Sequence, residues 1–193
     1  MALFSKDIGS LEDLFTHTLR DMYYAENKIV KSLPGMISKA SDSTLKKGLE
    51  EHLAQTRNHV TRLDKVFGQI GAEPKSVDCP AIDGIIEEAD DVIGNIDDKD
   101  ALDAAIIAAA QAVEHYEISR YGTLKAWALK LNNQQAAKLL DQTLAEEKKT
   151  DDSLTKLAET AVNYEAAAQR PPRSKHAPSR GVKGAPSSGG WRG

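Results

Sequence analysis

The chain has 193 residues, of which 28% are charged and only 5% aromatic, and its net charge is −4. This composition is typical of a helix-rich globular chain and argues against a β-sandwich, which needs more β-branched and aromatic residues. No stretch reaches the ~20 consecutive apolar residues of a membrane-spanning helix, and the N-terminus shows no secretory signal pattern. The single cysteine, Cys79, excludes an internal disulfide, so we expect a cytoplasmic protein that contacts no membrane.

Charge is distributed unevenly along the chain. Residues 169–193 contain six Lys or Arg residues and no acid, which leaves a net charge of −10 for the preceding residues. Because 13 of these 25 residues are Gly, Pro or Ser, the segment has too little apolar surface to fold. We therefore predict a helical domain over residues 1–167 and a disordered basic tail over residues 168–193.

The predicted tail has two interpretations. Its positive charge can attract nucleic acid or an acidic partner, or it can serve only as a solubility appendage. The residues predicted to make such contacts are Arg170, Arg173, Lys175, Arg180 and Lys183.

Apolar residues recur every three or four positions through the body, which is the period of an amphipathic helix. Ser10 is a typical N-cap for the first helix, Pro34 is predicted to kink or end it, and Gly71 is the expected stop of the second. The predicted helices cover about 10–39, 44–70, 81–96, 97–131 and 134–164. The third of these is short and lies in the long connection between two helical hairpins. The predicted fold is therefore all-α, a ferritin-like four-helix bundle whose crossover carries a short fifth helix.

Ionisable residues interrupt the apolar stripes of all four long helices, each near the middle of its helix. Buried carboxylates cost several kcal/mol unless they are paired, protonated or bound to a cation. We therefore predict one or two metal ions inside the bundle, and this oxygen-rich set suits Fe or Mn. The candidate ligands are Glu26, His59, Glu114, Glu117, Glu147 and Asp151, and His52, Gln55 and Tyr121 are expected behind them.

Each of these residues alone also has a simpler interpretation. Glu26 could pair with Lys28, Arg57 or Arg120, and a histidine in an apolar stripe is more often a hydrogen-bonded core residue than a ligand. A metal-free helical scaffold therefore remains open as an alternative to the metal site.

Six segments together resemble the YciE/YciF family of bacterial stress proteins, over about residues 8–165. They read LEDLF at 11–15, YAENK at 24–28, EHLAQT at 51–56, VEHYEI at 113–118, YGTL at 121–124 and EEKKTD at 146–151. The resemblance implies a ferritin-like bundle, a homodimer and an association with osmotic or oxidative stress. If the protein is an enzyme, the resemblance implies a rubrerythrin-like or manganese-catalase-like oxidoreductase that handles peroxide, O2 or iron.

Two features depart from the usual ferritin-like ligand pattern, in which two helices each give Glu and two give Glu-x-x-His. The second helix has Thr56-x-x-His59 and the last has Glu147-x-x-Thr150. Gln55 also stands where relatives in this family carry Glu. These departures favour a single-metal or degenerate site as the alternative to a di-metal centre.

Overall fold

The structure is a computed structural model that describes residues 8–168. Ala168, the first residue of the predicted tail, is helical, and residues 169–193 lie outside the described residues. The helices are α1 (Leu11–Lys39), α2 (Ser43–Gln69), α3 (Pro80–Gly94), α4 (Lys99–Lys130), α5 (Gln134–Leu157) and α6 (Asn163–Ala168). A π-helical turn, Ala158–Val162, joins α5 to α6. Residues 8–168 contain no β-strand, which confirms the all-α prediction. Over the same residues, no helix is both long and apolar enough to cross a membrane.

Short polar side chains set the starts of the long helices, as the sequence predicts for the first. Ser10 Oγ accepts the backbone N–H of Asp13 at 3.0 Å, which satisfies one of the free donors of the first turn of α1. Gly71, at φ +66°, follows α2 in the left-handed region that favours glycine. α1 continues past Pro34 to Lys39, so termination at this proline does not occur.

A buried acid at the start of α4 fixes the direction of that helix. Asp103 accepts the backbone N–H groups of Ser41 and Asp42, both at 2.8 Å, from the turn between α1 and α2. α4 therefore begins at the end of the bundle where α2 begins, and the two helices run in the same direction. The connection between them returns along the length of the bundle, and α3 lies in it, packed against α4 and α1.

The four long helices pack as two antiparallel hairpins. α1 pairs with α2 and α4 with α5, while α2 also packs on α5 and α1 on α4. Apolar side chains such as Phe15, Leu19 and Phe67 fill one end of the bundle, and Leu33, Leu45 and Ile106 fill the other. Between these two apolar layers lies a layer of polar residues. The predicted topology of two hairpins and one crossover is confirmed.

Candidate metal centre

The middle layer of the bundle holds six Glu or His side chains that are no more than 3% exposed. They come from all four long helices and are Glu26 on α1, His52 and His59 on α2, Glu114 and Glu117 on α4, and Glu147 on α5. Each lies in the apolar stripe of its helix, so the packing of the stripes against one another turns these side chains inward. Glu26, for example, lies one turn from Met22 and one turn from Ile29, which are both buried.

These residues form two groups. In each group, every residue contributes one potential ligand atom, and these atoms all lie within 4.8 Å of one another. The His59 group consists of Glu26, His59 and Glu147. The His52 group consists of His52, Glu114, Glu117 and Glu147. Glu147 belongs to both, so the two groups are adjacent. The structure thus brings together five of the six predicted ligands, and His52, expected behind the ligands, lies among them.

Asp151, the sixth predicted ligand, lies outside both groups. Its carboxylate accepts a hydrogen bond from Gln111 Nε2 at 3.0 Å and lies 3.2 Å from His115 Nε2 at the edge of the bundle. Four residues of α-helix exceed one full turn by about 40°, which turns Asp151 away from the axis that Glu147 faces. Gln55 is also peripheral, in the seam between α2 and α5, where its amide oxygen lies 3.5 Å from Thr150 Oγ1.

His59 has both ring nitrogens in contact with carboxylates. Its Nδ1 lies 2.8 Å from Glu147 and 3.5 Å from Glu26, inside the His59 group. Its Nε2 lies 2.8 Å from Glu146, which Arg62 holds through two guanidinium nitrogens at 2.6 and 2.7 Å. Sequence reasoning missed Glu146. The spacing of His59 and Arg62, three residues apart on one face of α2, is the signal that could have indicated an acid opposite them.

Tyr121 contacts the same group from α4. Its hydroxyl donates a hydrogen bond to Oε1 of Glu26, and its ring stands edge-on to His59 with the ring centroids 6.4 Å apart. Lys28, one of the alternative partners for Glu26, instead pairs with Asp83 at 2.9 Å and helps to hold α3 against α1. Glu26 is thus surrounded by Tyr121 and His59, as a residue of the central layer.

Burial and crowding strongly shift the proton affinities of these groups. Burial, and next the nearby carboxylate of Glu147, raise the pKa of Glu114 to about 10 and that of Glu117 well above its ordinary value. Burial alone would lower the pKa of His59, but its contacts with Glu147 and Glu26 outweigh this effect and raise the pKa to about 11. At neutral pH the metal-free centre therefore retains protons on Glu114, Glu117 and His59.

Unpaired polar atoms are concentrated in this layer. Ten buried side-chain nitrogen or oxygen atoms within residues 8–168 make no well-aligned hydrogen bond, and nine belong to the six central residues. Three of the nine, His52 Nε2, His59 Nδ1 and Glu147 Oε1, still lie within 3.1 Å of an atom of opposite charge type. The nine include both carboxylate oxygens of Glu117 and Glu147 and both ring nitrogens of His52. Buried polar groups are otherwise almost always hydrogen-bonded, because leaving one unpaired costs about 1–3 kcal/mol. Carboxylate oxygens and imidazole nitrogens together are a donor set that fits Fe or Mn.

Residues 10–167 match a protein family described as "Domain of unknown function (DUF892)". This chain belongs to that family. The protein YciF of Escherichia coli strain K12 is 42% identical to this chain over 161 residues, which cover 83% of this chain and 97% of YciF. These matches confirm the relationship that the sequence segments predicted.

Solved structures of similar proteins agree with the bundle described above. The crystal structure of the E. coli stress protein YciF is similar at a TM-score of 0.78, covering 81% of this chain and 99% of that one. YcfI of Rhodopseudomonas palustris is 53% identical, with a TM-score of 0.77, covering 79% of this chain and 97% of that one. A two-domain protein of Anabaena variabilis with a ferritin-like domain matches at 18% identity and a TM-score of 0.59, covering 87% of this chain and 42% of that one. The predicted ferritin-like fold is confirmed.

Proposed function

We propose that this DUF892 protein is a stress-associated metalloprotein that binds two Fe or Mn ions in the middle layer of its bundle. The observation that carries the proposal is the concentration, in six ligand-type side chains, of nine buried atoms that make no well-aligned hydrogen bond. Glu26, His59 and Glu147 would hold one ion, and the His52 group would hold the other. The association with stress comes from the E. coli relative, which is described as a stress protein.

The donor set supports two ions rather than the single-ion alternative. Ferritin-like di-metal sites use four carboxylates and two histidines. The centre of this bundle also has four carboxylates and two histidines, but they are distributed differently over the helices. Both histidines are on α2, and α4 supplies both Glu114 and Glu117. Thr150 stands where the ferritin-like pattern has its second histidine, and His52 would supply that imidazole instead. Glu147 would be the ligand shared between the two ions.

The protein's own residues would control such a centre. Glu146, fixed by Arg62, holds the ring of His59 with Nδ1 toward Glu26 and Glu147. Tyr121 holds a proton against Glu26. Bound Fe or Mn would supply one-electron chemistry toward peroxide or O2, or iron oxidation, which are the activities that the family resemblance implied. Burial of the six side chains would keep their charges strongly coupled.

A metal-free structural protein is the second candidate function. It is supported by the contacts of His59 with Glu147 and Glu26, which neutralise part of the buried charge without a metal. In this case the raised pKa values of Glu114 and Glu117 would leave both acids permanently protonated. A homodimer, also implied by the resemblance, is compatible with both candidates, and sedimentation of the full chain tests it.

Anaerobic calorimetric titration of the metal-free full chain with Fe(II) and with Mn(II) separates the two candidates. The metal proposal predicts about two sites per chain with micromolar or tighter affinity, and loss of both in Glu147→Gln. Glu50→Gln, which neutralises an exposed acid of α2, is the matched control and should bind as the wild type does. Absence of binding by the folded wild-type chain would leave the metal-free structural candidate.

A further inference from the structure

A cavity of about 300 Å³ lies between the first half of α2 and the second half of α5. We call it the α2–α5 cavity. Leu45 and Leu49 of α2 and Leu154 and Leu157 of α5 form its apolar wall. An engineered apolar cavity of about 150 Å³ is large enough to bind benzene, so this volume can hold an organic molecule of larger size.

The inner end of the α2–α5 cavity is formed by His52 and Glu114. His52 is only 3% exposed, and neither of its ring nitrogens has a hydrogen-bond partner. Its Nε2 lies 3.1 Å from a carboxylate oxygen of Glu114. Glu26 and His59 are not among the lining residues. An occupant would therefore reach the His52 group and not the His59 group.

The outer part of the cavity carries positive charge. Lys47 and Lys149 line it, and both side chains are exposed. Lys47 lies 3.7 Å from Glu51, whereas Lys149 has no carboxylate partner among residues 8–168. An unpaired ammonium group favours an anion at this position.

A second cavity reaches His52 and Glu114 from the opposite side of the bundle, between α1, α3 and α4. Its volume is only about 40 Å³, and Ile29, Leu33 and Ile93 are among the residues that line it. This space is enough for a water molecule and too small for an organic ligand. The α2–α5 cavity is therefore the larger of the two routes to the His52 group.

We propose that the α2–α5 cavity binds a small organic acid, with its carboxylate at Lys149, its apolar body against the leucine wall and its inner end at His52. Such a molecule would be a substrate or an effector of the His52 group. Its role beside a metal rests on the proposed function above, whereas its binding to the cavity does not.

Methyl NMR of the metal-free full chain, with leucine methyl groups labelled, tests the cavity. Benzoate is the probe, and benzyl alcohol and benzylamine are its neutral and cationic analogues. Benzoate should shift the methyl signals of Leu45, Leu49, Leu154 and Leu157, benzyl alcohol should bind several-fold more weakly, and benzylamine more weakly still. If benzoate at up to about 10 mM shifts none of these four residues, the proposal is overturned. Such a result means that the binding free energy is weaker than about −3 kcal/mol.

Two pairs of variants test the geometry. Gly48 lines the cavity and Gly68 does not, although both are exposed positions of α2 with open space around an added Cβ. Gly48→Leu should weaken benzoate binding at least tenfold, while Gly68→Leu leaves it unchanged. Lys149→Gln should abolish the preference for benzoate over benzyl alcohol, while Lys148→Gln retains it. Wild-type affinity in Gly48→Leu would show that benzoate binds elsewhere, contrary to the proposal.

Repeating the titration with Mn(II) present separates this proposal from the metal proposal. Bound Mn(II) should broaden the benzoate proton signals through the wild-type cavity, and this broadening should be lost in Gly48→Leu. If the chain takes up no metal but benzoate still shifts the four leucines, the metal proposal fails and the cavity assignment stands. If Mn(II) binds and the leucine signals do not respond to benzoate, the cavity assignment fails alone.

Discussion

Glu146 lies 2.8 Å from Nε2 of His59, on the side of the imidazole that faces away from Glu147. The pKa of Glu146 is lowered, chiefly by its hydrogen bonds from Arg62, so the carboxylate is ionised at neutral pH. An anion at this position fixes the orientation of the ring and increases the basicity of Nδ1. The chain thus presents one nitrogen of His59 to the centre of the bundle and anchors the other near its surface.

The first prediction concerns this anchor. Glu146→Gln should weaken cation binding at the His59 group by about 10- to 100-fold, the usual effect of removing a carboxylate behind a histidine ligand. Circular dichroism should show an unchanged helical fold, because Glu146 is partly exposed and the apolar layers are intact. Calorimetric titration with Mn(II) measures the effect. Equal affinities for Glu146→Gln and the control Glu50→Gln would show that Glu146 does not support a ligand.

The second prediction concerns the residue common to both groups. Glu147→Gln removes an oxygen ligand and one negative charge from a fully buried position. At a metal concentration of about 100 times Kd, bound metal stabilises the wild type by about 2.7 kcal/mol for each independent site, and this increment should vanish in the variant. Without metal the variant should be less stable than the wild type, because it removes the carboxylate 2.8 Å from Nδ1 of the protonated His59 and leaves that buried charge with only Glu26, at 3.5 Å. Chemical unfolding with and without Mn(II) gives both values, and an equal metal effect in the two proteins would exclude a ligand role.

The third prediction concerns pH. In the folded metal-free chain Glu114 has a pKa of about 10, whereas in the unfolded chain it has its ordinary, much lower value. Unfolding therefore releases a proton from Glu114 throughout the neutral range, and Glu117 and His59, whose pKa values are also raised, add to this release. The free energy of unfolding of the metal-free protein should consequently fall as pH rises from about 5.5 to 9. His52, whose pKa is lowered by burial, opposes the trend near its ordinary pKa by less than one proton.

Cation binding should show the opposite dependence on pH. The cation must displace the protons of Glu114, Glu117 and His59, so its affinity should increase with pH over the same range. Titration in two buffers of different ionisation enthalpy counts the released protons directly. Glu114→Gln should reduce both the slope of metal-free stability and the number of protons released. A metal-free stability that rises steadily from pH 5.5 to 9 would contradict the protonated centre described above.

The fourth prediction concerns the basic segment, residues 169–193. If this segment binds nucleic acid, its removal should abolish retention of duplex DNA, and retention by the full chain should weaken steeply between about 50 and 200 mM salt. Binding at the metal centre should be unchanged by the truncation, because the bundle spans residues 11–168. Equal DNA retention by the full and truncated chains would exclude the nucleic-acid interpretation and leave the solubility interpretation.

Much of the fold could be predicted from the sequence because local signals and the apolar period agree. Ser10 and Gly71 mark the ends of two helices through hydrogen bonding and backbone conformation, both of which act over a few residues. Asp103 is different, since its partners are backbone groups about 60 positions earlier in the chain. Nothing in the sequence near Asp103 indicates these partners, because they come close only when the hairpins assemble.

The central layer was partly predictable for the same reason. An acid inside an apolar stripe, such as Glu26, must turn inward, and its depth follows from its position along the helix. The direction in which a side chain points around the helix axis is harder to predict from the sequence, because it depends on how neighbouring helices pack. This uncertainty placed Asp151 among the expected ligands and His52 behind them, while the structure has Asp151 at the edge and His52 in the centre. Glu146, adjacent to the inward-facing Glu147, was missed because its partner His59 is on another helix.

Metal content per chain is the most direct test of a two-ion centre in the middle layer of the bundle. Elemental mass spectrometry of untagged full-length protein, purified without chelators and then reconstituted anaerobically with Fe(II) or Mn(II), gives this number. A two-ion centre should give close to two ions per chain in the wild type and in Glu50→Gln, and a substantial loss in Glu147→Gln. A folded wild-type chain that retains no Fe or Mn after reconstitution would contradict it.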